Sequence, residues 1–146
     1  MTGQADGTHV WLVMMKAHRA LARHAERSIA ALDMCFSDFA ILELLLHKGP
    51  QKLIDLGRRI DLTSGAMTTA IDRLEARRLV ARTFDAADRR TRVVHLTAEG
   101  EAVIRAAFAA HASAMNEAAS GLDAEEQAHL TTLLKKLGAH AQRTLT

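Results

Sequence analysis

The stretch LTSGAMTTAIDRLEARRLVARTFDAADRRTRVVHLTAEG, residues 62–100, decides the fold. Its first half places Met67, Ala70, Ile71 and Leu74 at the spacing of one helix face, with Thr63 in front as an N-cap for a helix reaching roughly Arg77. From Val80 the period changes. VARTF at 80–84 and RVVHL at 92–96 are rich in β-formers and flank a charged tip, the pattern of a β-hairpin. Thr97 then caps a further helix reaching about residue 120.

Upstream, residues 52–60 carry Leu53, Leu56 and Ile60 on one face, so two short helices meet at Asp61-Leu62-Thr63. Ser37 can cap a very apolar helix over 38–47, which Lys48-Gly49-Pro50 stops. Residues 10–32 contain no Gly or Pro and return Trp11, Met14, Met15, Leu21, Ala22, Ala25, Ile29 and Leu32 with helical spacing. Downstream, Gly121 ends one helix and Asp123-Ala124-Glu125-Glu126 restarts another. That last helix lines up Leu130, Leu133, Leu134, Leu137, Ala141 and Leu145 in one stripe. The expected architecture is mainly α with a small β-hairpin. A winged helix-turn-helix core at 37–100 sits in a single domain, 1–146, flanked by dimerisation helices at 9–33 and 101–146.

Composition narrows the function classes. A chain of 146 residues that is 49% apolar and 25% charged has the make-up of one globular domain. No apolar run approaches a membrane span, and residues 1–8 are polar without a basic start, so a cytoplasmic address and no membrane partner are expected. The lone Cys35 excludes an internal disulfide and agrees with a reducing compartment. The histidines avoid metal-ligand spacings except Glu43 and His47, one helical turn apart, which reads as a surface contact. There is no Gly-rich phosphate loop, nucleophile elbow or pair of catalytic carboxylates. No catalytic residue, metal or cofactor is therefore expected, and the chain reads as something other than an enzyme.

The net charge of +2 decides little, but its placement does. Between residues 58 and 92 the cations are Arg58, Arg59, Arg73, Arg77, Arg78, Arg82, Arg89, Arg90 and Arg92, against Asp61, Asp72, Glu75, Asp85 and Asp88. Helix, tight turn, helix and basic hairpin together suit a double-stranded DNA operator, because the major groove admits one helix whose first residues reach base edges. Ser64, Thr68, Thr69 and Arg73 would read the bases, Thr63 and Gly65 belong to the small-residue helix start whose free N–H groups also favour a phosphate, and Arg77, Arg78 and Arg82 would touch phosphates. The hairpin tip with Asp88, Arg89, Arg90 and Arg92 would enter the minor groove, Asp88 holding the Arg90 guanidinium in a two-pronged pair.

The leucine stripe and the Val10, Trp11, Met14 end of the first helix exceed what so short a chain can cover, so a second copy is expected. The alternative is that these two helices cover each other. Two-fold symmetry implies a pseudo-palindromic operator with half-site centres about 10 bp apart. A small-molecule effector would lodge between helices one, two and five, against Met14, Met15, His18, Phe36 and Phe39, unless these are simply core. Cys35, at the positive end of helix two, is a candidate reactive thiol or else a small buried hydrophobe. A helical adaptor that binds no DNA is the remaining reading.

Residues 62–79, then Asp88-Arg89-Arg90 and Val94-His95-Leu96-Thr97-Ala98-Glu99-Gly100, resemble the MarR family of winged-helix regulators. The resemblance runs from about residue 10 to the end and is sharpest in the aspartate-arginine wing followed by Leu-Thr-x-x-Gly. It implies an obligate homodimer built from the first and last helices, a helix over 63–77 in the major groove, and a wing arginine matching Arg90. It implies too a repressor released when a lipophilic or phenolic molecule, or an oxidant, acts near the junction of the dimer and DNA-binding parts. The context of Cys35 at 32–39, LDMCFSDF, resembles a branch that senses quinones or thiol-reactive signals. The chain departs from the family where Arg78 replaces the usual glycine after the recognition helix, and where Ala86-Ala87 replaces a proline often found near the wing tip.

Overall fold

The computed structural model describes residues 6–146; residues 1–5, part of the polar start read above, lie outside the described residues. The elements run α1 Gly7–Ala30, α2 Phe36–Lys48, β1 Gln51–Lys52, α3 Leu53–Ile60, α4 Ser64–Ala76, β2 Val80–Phe84, β3 Arg92–Leu96, α5 Ala98–Ala118 and α6 Ala124–Arg143. Four helices begin at side chains that satisfy free backbone N–H groups. Asp6, Thr63, Thr97 and Asp123 accept from His9, Ala66, Gly100 and Glu126, and Asp123 closes a reciprocal capping box with Glu126.

Two boundaries differ from the sequence expectation. Helix α2 starts earlier, with Cys35 at the cap position and no side-chain cap bond. Ser37 lies inside the helix, its hydroxyl 3.3 Å from the Cys35 sulfur. Residue 52 does not open α3, because Gln51 and Lys52 pair with Val94 and Val93 of β3. The hairpin is thereby extended to a three-stranded antiparallel sheet in the order β1-β3-β2. The hairpin itself runs in register from Val80 opposite Leu96 to Phe84 opposite Arg92.

The core gathers Ile41, Leu42 and Leu45 of α2, Leu56 of α3, Met67, Ile71 and Leu74 of α4, Val80, Val94 and Ile104. Each such fully buried side chain contributes about 1.5–3 kcal/mol. Helix α5 leaves this core and packs along α1 and α2, where His111 meets the Phe39 ring edge-on at 4.9 Å and lies 2.8 Å from the Ser28 hydroxyl.

Helix α6 buries none of its side chains. Only its first turn is tied down, by Gln127 donating to the Ala119 and Leu122 carbonyls at 3.1 and 3.0 Å. Leu130, Leu133, Leu134 and Leu137 stay exposed, as do Val10, Trp11, Leu12, Val13 and Met14 on α1. No extensive packing joins α1 to α6, so the two apolar faces do not cover each other within the chain. Among the described residues no helix is long and apolar enough to cross a membrane.

Candidate nucleic-acid interface

Helix α3 ends on Asp61 in the left-handed conformation, φ +58°, and the chain turns directly into α4. Met67, Ala70, Ile71 and Leu74 are buried, which leaves Thr63, Ser64, Gly65, Thr68 and Thr69 exposed along the front of α4. Thr68 and Thr69 donate their hydroxyl hydrogens to the Ser64 and Gly65 carbonyls at 2.9 and 3.0 Å. Their oxygens therefore face outward as acceptors beside two methyl groups, a surface suited to base amino groups and the thymine methyl. Nothing in the fold fills the space where a side chain on Gly65 would lie.

The arginines behind this face are not free. Arg73 is exposed along its stem, but its guanidinium grips Asp38 of α2, Nε to Oδ2 at 3.1 Å and Nη2 to Oδ1 at 2.5 Å. That hydrogen-bonded pair raises the Arg73 pKa above its ordinary value against the opposing effect of burial. Arg73 Nη2 also lies 3.5 Å from the Cys35 sulfur, and Arg77 donates to the Asp33 carbonyl at 3.4 Å. Arg82 reaches back from β2 to Asp72 and to Glu75, the latter at 3.7 Å. Arg77 and Arg82, expected on phosphates, thus have heads engaged within the chain. The carboxylate and carbonyl that hold Arg73 and Arg77 lie 35 and 44 residues away, beyond the reach of local spacing.

The wing tip corrects another expectation. Asp88 does not hold the Arg90 guanidinium; Oδ1 accepts from the Arg90 backbone N–H at 3.0 Å and Oδ2 from the Thr91 hydroxyl at 3.2 Å. An aspartate two residues ahead of an N–H forms such a turn more readily than it reaches a long side chain. Asp85 does the same for Ala87, and backbone bonds from Asp85 to Thr91 and from Thr91 to Asp88 complete the loop. Arg89 and Arg90 are exposed and form no ion pair among the described residues. Arg92 instead stacks its guanidinium 5.3 Å above the Phe84 ring. Lys52 joins β1 to the wing root through Asp85 at 3.6 Å.

The Leu-Thr-x-x-Gly segment proves to be a junction. Thr97 donates its hydroxyl to the Arg78 carbonyl at 2.7 Å, accepts from the Gly100 N–H at 2.9 Å, and donates its own N–H to the Leu79 carbonyl at 3.1 Å. Gly100 sits so close that an added Cβ would lie 1.8 Å from the Leu79 oxygen. Arg78 takes the left-handed conformation, φ +62°, despite its side chain. Its N–H bonds to the Glu75 carbonyl and that of Leu79 to the Leu74 carbonyl, the paired closure of a Schellman cap. The end of α4, the start of α5 and the sheet are thereby locked together.

The expected effector cluster is split. His18 and Phe36 line a surface cavity of about 460 Å³ with Leu21, Ala22, Ala25, Glu26 and Met115. Phe39 belongs to the core, since it projects from the inner face of α2, and Met14 and Met15 lie outside the cavity. Cys35 is an exposed free thiol beside a separate hollow lined by Met34, Asp38, Arg73 and Arg77. Glu43 and His47 make an exposed contact at 3.1 Å. Among the described residues no cluster of metal-ligating side chains occurs.

A helix-turn-helix with an open polar face on its second helix, followed by an arginine-tipped sheet, defines a winged helix-turn-helix DNA-binding regulator. The MarR family model matches residues 37–91. The chain is 36% identical over 137 residues to the uncharacterized HTH-type transcriptional regulator YkoM of Bacillus subtilis (strain 168), covering 94% of this chain and 89% of that protein. It is 34% identical over 134 residues to the HTH-type transcriptional regulator MhqR of the same organism, covering 92% of each. The chain belongs to the MarR family and is a DNA-binding transcriptional regulator. Among solved structures it is similar to Bordetella bronchiseptica BpsR, with a TM-score of 0.76 and 25% identity over 88% of this chain and 98% of that one.

Proposed function

We propose that the chain is a homodimeric repressor that lays α4 in the major groove of each half of a pseudo-palindromic operator and places a wing arginine, Arg90, in the adjacent minor groove. The 37–100 core reads DNA, and 9–33 with 101–146 pair the two copies. The observation that carries this is the division of α4: Met67, Ala70, Ile71 and Leu74 are packed inward while Thr63, Ser64, Gly65, Thr68 and Thr69 offer hydroxyls and a glycine to a partner. The uncovered leucines of α6 support the second copy. Release by a small lipophilic or phenolic ligand fits the cavity beside His18 and Phe36, and regulation of BpsR DNA binding by 6-hydroxynicotinic acid supports an aromatic effector.

The test is fluorescence anisotropy with a duplex enriched from a random pool by the wild-type protein. Affinity is expected to fall roughly 1,000-fold between 50 and 200 mM salt, as counterions return to the phosphates. Arg90→Ala should weaken binding by roughly 10- to 100-fold with fold and dimer intact. Absence of binding in dilute buffer, or an Arg90→Ala protein equal to wild type, defeats the proposal.

A second reading, release by a thiol-reactive oxidant or quinone, is favoured by the exposure of Cys35 and its 3.5 Å approach to Arg73 on α4. Mass spectrometry after quinone or peroxide treatment is expected to find a Cys35 adduct together with weakened DNA affinity. An unmodified thiol and unchanged affinity remove this reading.

A further inference from the structure

Asp38 is the one charged side chain buried among the described residues, with 2% of its surface exposed. A carboxylate withdrawn from water is costly unless fully paired, and Arg73 pairs both oxygens with Nε and Nη2. Otherwise α4 is held by Met67, Ile71 and Leu74 on the core and by the Thr97 junction just past its end, and apolar contact, being non-directional, fixes its roll less tightly than paired hydrogen bonds. A two-pronged guanidinium-carboxylate pair does fix one, because both N–H···O directions must be met at once. Arg82 restrains α4 from a second element through Asp72 and Glu75.

We propose that Arg73 is a positioning residue: clamped by Asp38, it sets the roll of α4 about its own axis so that Ser64, Thr68 and Thr69 meet the base edges, and it does not itself contact DNA. The inference rests on the DNA-binding reading above. A helix about 10–12 Å across moves its side-chain tips by roughly 1 Å for each 10° of roll. A shift of that size takes a hydrogen bond to a base edge out of range. Loss of the clamp therefore blurs the choice between sequences more than it weakens attraction to the phosphate backbone.

The experiment compares wild type, Arg73→Met, Asp38→Asn and the double variant on the enriched duplex and on a random duplex of equal length, across 50–200 mM salt. Both single variants should bind the enriched duplex at least roughly 10-fold more weakly, with unchanged affinity for the random duplex and an unchanged salt slope, and the double should be no worse than the weaker single. A general loss of stability would lower the melting temperature without this selective change. Asp38→Asn leaves no buried charge, so it keeps the test open where Arg73→Met fails to fold. A salt slope reduced by about 1 or more in Arg73→Met alone marks a direct phosphate contact and overturns the proposal. So does retention of full discrimination by Asp38→Asn. A wild-type protein that enriches no duplex defeats the DNA-binding reading itself, and this inference with it.

Discussion

Leu134→Glu combined with Leu137→Glu is expected to leave the protein folded, monomeric, and at least roughly 1,000-fold weaker on its operator. These leucines are 42% and 40% exposed on a helix with no fully buried side chain, so glutamate disturbs little packing within the protomer. In a two-fold pair the loss is counted in both copies. With about two fifths of each side chain left to bury, four leucines at about 0.6–1.2 kcal/mol each remove roughly 2.5–5 kcal/mol of association energy, before the larger cost of burying carboxylates is added. Analytical ultracentrifugation reads the mass and circular dichroism the fold. An intact dimer with unchanged DNA affinity would show that α6 plays no part in pairing.

Gly100→Ala should be the most damaging glycine-to-alanine change among the described residues. Its Cβ would lie 1.8 Å from the Leu79 carbonyl oxygen and 2.7 Å from the carbonyl carbon, and both belong to backbone that cannot rotate aside. Overpacking of this kind costs about 1–3 kcal/mol where side chains can yield, and here the upper end applies. At about 2–4 °C per kcal/mol, the melting temperature should fall by roughly 10 °C in a thermal scan. DNA affinity should fall too, because Leu79 follows the last turn of α4. A melting temperature within about 2 °C of wild type would mean that the junction yields freely.

What was legible in the sequence was whatever repeats locally. The period of Met67, Ala70, Ile71 and Leu74 located the buried face of α4, and the change of period at Val80 gave both strands of the hairpin their bounds. Thr63, Thr97 and Asp123 announced their helices because a cap acts within three residues. What pairs at long range stayed hidden. Strand β1 has two residues, too few for a period, and exists only because β3 offers Val93 and Val94. The Asp38–Arg73 clamp joins helices 35 residues apart, and Arg73 alone reads as one more outward cation. Phe39 and Phe36 look alike on paper, yet Phe39 joins the core with its ring edge-on to His111 and Phe36 lines a surface cavity. The Asp88 turn was missed for the opposite reason, since a partner nearer than the one expected took its oxygens.

The lock among Thr97, Gly100 and Leu79 has a mechanical corollary. With its first turn fastened to the end of α4, the 21-residue α5 is a rod about 30 Å long. A tilt of 5° imposed at the far end of such a rod swings the near end through about 2.6 Å. In the proposed homodimer, two protomers so built would act as a pair of callipers whose tips must span one repeat of the double helix. A modest wedge between the handles is enough to spoil the gauge, with no change inside either head.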